Sequence, residues 1–349
     1  MEFLYEHGIT ALQVLQKHGE PYCDLFQDIS SFCDPAYAFF VYPPLFYALC
    51  QNSGRAMLLV VIITEWANMV LKWILLGHRP YWWVMENMTP AHPGDTIIKQ
   101  FPLTCETGPG SPSGHAQLQT ALNYAIVHFL TTKVFARKHR WISRFVLIPA
   151  FIAVVVGVSL SRLYIAAHFP HQCMLGVAIG FAIASSLVGL DTSRWSLKKY
   201  LFLTLFLFVS TMATKRILET VGVDVLSTIG RAQKHCARPE WIHVNTTPYF
   251  SMTRFLGFCA GVGLATHCGV FSIAGKEIST GSRVVMGVAA AIIGKLSENI
   301  DVPFKDASPL FFYIVAFSYY VAAAYMLFAV VPSLVLKVIG GEVKDKKKL

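Results

Sequence analysis

Three short polar stretches, each set beside an apolar run, hold the residues whose types and spacing can do chemistry. They are K-W-I-L-L-G-H-R-P (Lys72 to Pro80), G-P-G-S-P-S-G-H (Gly108 to His115) and S-R-L-Y-I-A-A-H (Ser161 to His168). Lys72 and Arg79 are seven residues apart, close to two helical turns, so a continuous helix points both cations along one face and can hold a phosphate dianion between them. Pro80 is expected to stop that helix, because it lacks an N–H and disfavours helix at the residue before it. The glycines and prolines from Gly108 to Gly114 preclude regular structure until an apolar run opens at Ala116, so P-S-G-H falls at a helix N-terminus. Unpaired N–H groups and the positive end of the dipole there favour an anion, Gly114 permits close backbone approach, and Ser113 offers a hydroxyl donor. Arg162 ends one apolar run and His168 begins the next, with room between them only for a tight connection. Arginine suits bidentate recognition of phosphate oxygens, and His115 and His168 supply a nucleophile and a proton donor, which is what cleavage of a phosphate ester requires. Taken singly, each cation reads equally well as a membrane boundary and each histidine as an interfacial residue. The ordered set carries the argument.

The elements that must position these groups cross a bilayer. Of 349 residues, 54% are hydrophobic and only 14% charged, and the mean hydropathy is +0.51. That excludes an ordinary soluble domain of this length and predicts an all-α, polytopic membrane protein. The net charge of +9 is explained by topology rather than by a nucleic-acid partner. No signal peptide is evident, since the first residues carry Glu2 and Glu6 in place of a basic leader. The eight cysteines form no C-x-x-C pair, so neither a zinc site nor a redox motif is indicated.

In chain order, a polar lead with amphipathic hints at Leu12, Val14 and Leu15 precedes about nine spans. The first, from about Leu25 to Cys50, is interrupted by Asp34-Pro35 and Pro43-Pro44; Asp34 is either functional or a cap before Pro35, because charge beside a span is costly. The second, Met57 to Leu76, carries Glu65, the expected counter-ion of Lys72. The others are expected near Ala116–Leu130, Phe145–Leu160, Phe169–Leu190, Tyr200–Ala213, Phe255–Ile273, Val284–Gly294 and Pro309–Val335, with a polar excursion from Lys215 to Thr253. The Lys- and Arg-rich loops around Lys133–Arg144 and Arg194–Lys199 mark the cytosolic side. The N-terminus and all three polar motifs then share the opposite, lumenal side, and the C-terminus is cytosolic. Two N-x-T sequons also fall there, and Asn87, in the long loop after Arg79, is the better glycosylation candidate. Cys23, Cys105 and Cys236 lie in the same compartment, where a disulfide is allowed although the sequence supplies no pairing.

The order K-x6-R-P, P-S-G-H, S-R-x5-H resembles the three-part signature of the type 2 phosphatidic acid phosphatase and vanadium haloperoxidase superfamily. More narrowly, C-E-T-G-P-G-S-P-S-G-H (Cys105 to His115), H-R-P-Y-W-W-V (His78 to Val84), A-A-H-F-P-H-Q (Ala166 to Gln172) and P-E-W-I-H-V (Pro239 to Val244) resemble the glucose-6-phosphatase catalytic subunits, and the likeness runs along the whole chain. This resemblance implies one phosphatase domain over residues 1–349, built around the superfamily's helical core. It implies glucose 6-phosphate as substrate, His168 as nucleophile, His115 as proton donor, phosphate held by Lys72, Arg79, Arg162 and the groups near Ser113 and Gly114, and no metal or other cofactor. It further implies the endoplasmic reticulum membrane as lipid partner and location, with functional coupling to a glucose-6-phosphate transporter. The terminal K-D-K-K-K-L, with Lys346 and Lys347 fourth and third counting back from the end, resembles a di-lysine retrieval signal. Two rival readings share parts of the pattern: a lipid phosphate phosphatase, and a transporter or scaffold that only binds at the cationic pocket. The wider superfamily places an Asp four residues after the third-motif His, where this chain, like the glucose-6-phosphatase group, has Gln172, which carries no charge. What then stabilises a cationic His168 is left open by the sequence.

Overall fold

The structure is a computed structural model that describes residues 2–88, 97–135, 140–269, 276–298, 300, 308–339 and 344–345. It is helical, apart from a two-residue antiparallel pairing of Lys276–Glu277 with Lys344–Asp345. Helices α1 (Glu2–His18), α2 (Cys23–Phe32), α3 (Pro35–Phe40) and α4 (Tyr42–Leu49) precede the long α5 (Gln51–Leu75). After α6 (Pro80–Asn87) come α7 (Gly114–Phe129), the single turn α8 (Arg140–Ile142), α9 (Ile148–Tyr164) and α10 (Pro170–Leu187). The remainder is α11 (Leu197–Thr220), α12 (Ser227–His235), α13 (Pro248–His267), α14 (Thr280–Glu298), α15 (Pro309–Tyr325) and α16 (Val331–Val338).

Among the described residues, five stretches are long and apolar enough to cross a membrane: Gln51–Asn87, Ser143–Tyr164, Pro170–Leu187, Leu197–Thr220 and Pro309–Val338. They correspond to five of the nine expected spans. The other four expected spans do not meet the same test: the first is divided among α2, α3 and α4, α7 has 16 residues, α13 ends at His267 with residues 270–273 of its expected span outside the described residues, and α13 and α14 carry charges such as Arg254, Arg283 and Lys295. Apolar side chains cover the outside of the long helices, among them Phe145 and Ile152 on one and Phe202, Leu205 and Phe206 on another. Lipid is the solvent that accepts such surfaces.

The chain divides into two compact units, one formed by Met1–Pro35, Thr64–Ser185 and Ser210–Ser251, the other by Ala36–Ile63, Ser186–Val209 and Met252–Leu349. The first unit contains all three polar motifs. In it α9 packs against α7, α2 and α1. The amphipathic lead is α1, whose stripe Tyr5, Ile9 and Leu12 follows helical spacing and is buried with Tyr81, Trp82 and Trp83 of α6 and with Phe169, whereas Val14 faces outward. A disulfide joins Cys105 to Cys236, 131 residues apart, and Cys23 is free.

Helix α10 crosses α7 on glycine. A Cβ at Gly176 would come 2.6 Å from the Ser113 carbonyl oxygen, and one at Gly180 would come 2.1 Å from that of Gln117. In the second unit the same device recurs at Gly294 of α14, where a Cβ would come 1.9 Å from the Phe40 carbonyl oxygen. Phe258 there packs among Phe39, Phe40 and Tyr320.

One expectation is corrected. Lys72 and Arg79 do not share a continuous helix: α5 ends at Leu75, Leu76 takes a left-handed conformation (φ 45°), and Arg79 is extended. Pro80 opens α6 rather than closing α5, as suits a residue with a preset helical φ and no N–H. The loop between them spends its backbone on docking, since the Gly77 carbonyl accepts from the Gly110 N–H (2.7 Å) and the His78 carbonyl from Gln172 Nε2 (2.6 Å).

Candidate active site

Although the helix breaks between them, Lys72 and Arg79 reach one point, and so do the cation and the histidines of the other two motifs. At that point sits Glu106. Its Oε2 lies 2.8 Å from an Arg79 Nη2 and 3.9 Å from Lys72 Nζ, and its Oε1 is paired with Arg162 Nη2. His115 Nδ1 is 3.6 Å from Oε1 and His168 Nε2 is 4.0 Å from Oε2. Burial by itself would push the Glu106 carboxyl up, but the charges of Arg79, Arg162 and Lys72 outweigh burial and hold it well below its ordinary 4.5. The counter-ion nearest Lys72 is Glu106, and Glu65, expected from the seven-residue repeat, adds a smaller attraction.

Arg79 is fully buried and its fork is fixed on every side. Nε donates to the Gly108 carbonyl (2.7 Å), Nη1 to that of Ala167 (3.0 Å) and Nη2 to that of Pro109 (3.2 Å). Arg162, on the last turn of α9, donates from Nη1 to Ser30 Oγ (3.2 Å). Its buried Nε has no hydrogen-bond partner among the described residues.

His168 stands in the connection between α9 and α10, wholly buried. Its Nδ1 is 2.8 Å from the Gly110 carbonyl oxygen. A carbonyl only accepts, so Nδ1 carries the proton and Nε2 presents its lone pair to the pocket, 3.3 Å from Arg79 Nη1. Burial first, and then the Arg79 charge, holds His168 well below its ordinary 6.5, which keeps the imidazole neutral. The group that orients the imidazole is thus a backbone carbonyl. Gln172 lies farther from Nδ1, at 3.3 Å, and its amide is committed elsewhere: Oε1 accepts from the Phe169 N–H (3.1 Å) and Nε2 donates to His78. Because the Gln172 carbonyl also accepts from the Ser113 N–H (3.0 Å), this one residue ties the three motifs together. A Cβ at Gly110 would come 2.4 Å from the His78 carbonyl oxygen, so the segment that holds His168 requires glycine.

The second motif opens α7 as expected. Ser113 is the N-cap, buried, with Oγ accepting from the Ala116 N–H at 3.5 Å, and Gly114 is the first helical residue, against Asn68 of α5. Asn68 Nδ2 donates to the Pro112 carbonyl (3.3 Å) and to Gln117 Oε1 (2.9 Å), fastening the motif to α5. His115, in the first turn, borders a cleft that also reaches Glu106 and Arg162. Asn87 is exposed at the end of α6, its amide donating to the Trp83 carbonyl; Thr89 of its sequon and the lysines Lys346 and Lys347 lie outside the described residues.

Every histidine and cation singled out from the sequence therefore converges here. Glu106 and the Gly110 carbonyl do not follow from the motif order, although Glu106 is the one acid in the stretch Cys105 to His115. The convergence of three cations, two histidines and a glycine-rich helix N-terminus defines a phosphate-ester site on a helical membrane scaffold, and the PAP2 superfamily model matches residues 53–196, which include all three motifs. Glucose-6-phosphatase catalytic subunit 1 of Felis catus is 36% identical over 362 aligned positions, covering 100% of this chain and 99% of that protein. Glucose-6-phosphatase 2 of Homo sapiens is 35% identical, with 91% and 92% covered. The chain belongs to the glucose-6-phosphatase catalytic subunit family within that superfamily. No solved structure matches it.

Proposed function

We propose that the protein hydrolyses glucose 6-phosphate to glucose and phosphate through a phosphohistidine on His168. The observation that carries this reading is the Glu106 carboxylate, an anion within 4.0 Å of two arginines' and a lysine's charged ends and of both histidines. It marks where a phosphoryl group has to sit. A substrate dianion takes that place, with its oxygens on Arg79, Arg162 and Lys72, which supplies the positioning and charge stabilisation that dominate phosphoryl transfer. His168 Nε2 attacks phosphorus, the bond to the sugar oxygen breaks, and His115 gives that oxygen its proton. His115, now neutral, takes a proton from water; the water oxygen attacks phosphorus, the P–N bond breaks and phosphate leaves.

The family and the apolar helices support a membrane enzyme. On the sequence arguments above, the site faces the lumen of the endoplasmic reticulum, with the N-terminus lumenal, the C-terminus cytosolic, Asn87 glycosylated, and a glucose-6-phosphate transporter supplying substrate. Brief exposure to labelled glucose 6-phosphate followed by denaturation should leave acid-labile, alkali-stable phosphate on His168. His168→Ala should lose label and turnover together. His115→Ala should lose far more activity on glucose 6-phosphate than on an aryl phosphate, whose leaving group needs no proton. Label on His115, or preference for phosphatidic acid over glucose 6-phosphate, would overturn the assignment.

A further inference from the structure

We propose that the cleft opening from His115, walled by Asp34, Trp241, His243 and Thr246, is the subsite that holds the hexose of the substrate and sets leaving-group specificity. The inference rests on the hydrolytic reading above and deepens it. In an in-line displacement the nucleophile and the departing oxygen lie on opposite sides of phosphorus. His168 is wholly buried, whereas His115, the proton donor, lines a cleft that runs from Glu106 and Arg162 to those four residues. The alcohol half of the ester therefore extends into that cleft.

The walls suit a sugar. The Asp34 carboxylate can accept from adjacent hydroxyls, and His243 and Thr246 add ring-nitrogen and hydroxyl partners. Trp241 offers a broad apolar ring to the C–H face of a pyranose, in the mix of aromatic surface and few placed polar groups that small-ligand sites use. Trp241 is itself fixed: its backbone N–H donates to the Arg238 carbonyl (3.0 Å), the Arg238 guanidinium lies 5.3 Å from its ring centroid, and the side chain packs against the core formed with α1 and α6.

This wall is also tied to the phosphate end. Cys105 is bonded to Cys236, and Thr107 Oγ1 donates to the Thr246 carbonyl (3.2 Å), so the residues on either side of Glu106 are each anchored to the segment carrying Trp241 and His243. Because Glu106 is part of the lining, its departure for the incoming phosphate enlarges the space the sugar enters, and binding at the two ends is coupled.

The test compares glucose 6-phosphate with phenyl phosphate, a monoester without a sugar, on the full-length protein and on Asp34→Asn, Trp241→Leu and His243→Gln. Each variant should lose at least about tenfold in kcat/KM on glucose 6-phosphate, mainly through KM, and less than about threefold on phenyl phosphate. The wild-type penalty for deoxy-glucose 6-phosphates should shrink in Asp34→Asn, as expected when a hydroxyl's partner is already gone. Where Trp241→Leu does not fold, Trp241→Phe and Asp34→Asn carry the comparison. Equal losses on both esters, or none, would overturn the subsite. Wild-type turnover of phenyl phosphate but not of glucose 6-phosphate would instead overturn the substrate reading, and the hexose assignment with it.

Discussion

Glu106 is one carboxylate facing the charged ends of Lys72, Arg79 and Arg162, so the pocket keeps an excess of positive charge even with the acid in place. Glu106→Gln should then separate stability from affinity. Without a bound anion the variant should be destabilised by about 3 kcal/mol, because buried cations lose their partner. Added inorganic phosphate should raise its Tm more than it raises that of the wild type, and an equal rise in both would show that Glu106 does not occupy the anion position. Arg79→Lys should lose at least about tenfold in kcat/KM even though charge is kept, since an ammonium cannot serve the carbonyls of Gly108, Ala167 and Pro109 while also meeting two phosphate oxygens. Near wild-type kinetics would make Arg79 a structural residue. At this scale the cations and histidines were legible because side-chain chemistry and order alone point to phosphate. Glu106 was not, since an acid among anion-binding groups reads as a contradiction until its position is seen. The Gly110 carbonyl was not, because a backbone acceptor has no residue-type signal.

Helix α10 can approach α7 closely because Gly176 and Gly180 let it rest on the backbone at Ser113 and Gln117. That contact sets the distance between the helix start that carries His115 and the one that follows His168. Gly180→Leu should cost about 1–3 kcal/mol by overpacking, and kcat should fall for both sugar and aryl phosphates, because the two histidines separate. Unchanged kcat at a lowered Tm would show that the crossing only stabilises. The start of α7 was legible from Ser113 and the glycines before it. The end of α5 was not: residue spacing continued through Leu76, and only the tertiary demand for the Gly77 and His78 carbonyls turns the chain there.

Across the whole molecule, acid should act in two windows. His168 is held below its ordinary 6.5, so the unfolded chain takes up a proton that the folded one refuses, and stability falls as pH drops below about 6.5. Glu106 is held below 4.5, and its contribution is present above that value and lost as pH falls through the folded pKa. Thermal unfolding followed against pH should therefore show the Glu106→Gln curve running parallel to the wild type from pH 7 to about 5 and flatter below 4.5; parallel curves throughout would remove Glu106 from the linkage. The helical membrane architecture was legible from apolar runs and basic loops. The number of spans was less so, because α13 and α14 mix small, polar and apolar residues in a way that hydropathy alone does not resolve.

The bond between Cys105 and Cys236 sets a clock on the molecule. Residue 105 leaves the ribosome 131 positions before its partner, and in that interval all three phosphate motifs have already been made. The far wall of the cleft does not yet exist. A chain cut short between residues 169 and 235 carries every histidine and cation of the phosphate pocket without the segment that holds Trp241 and His243, so completion of the site is an event of late synthesis and thiol oxidation rather than of motif assembly.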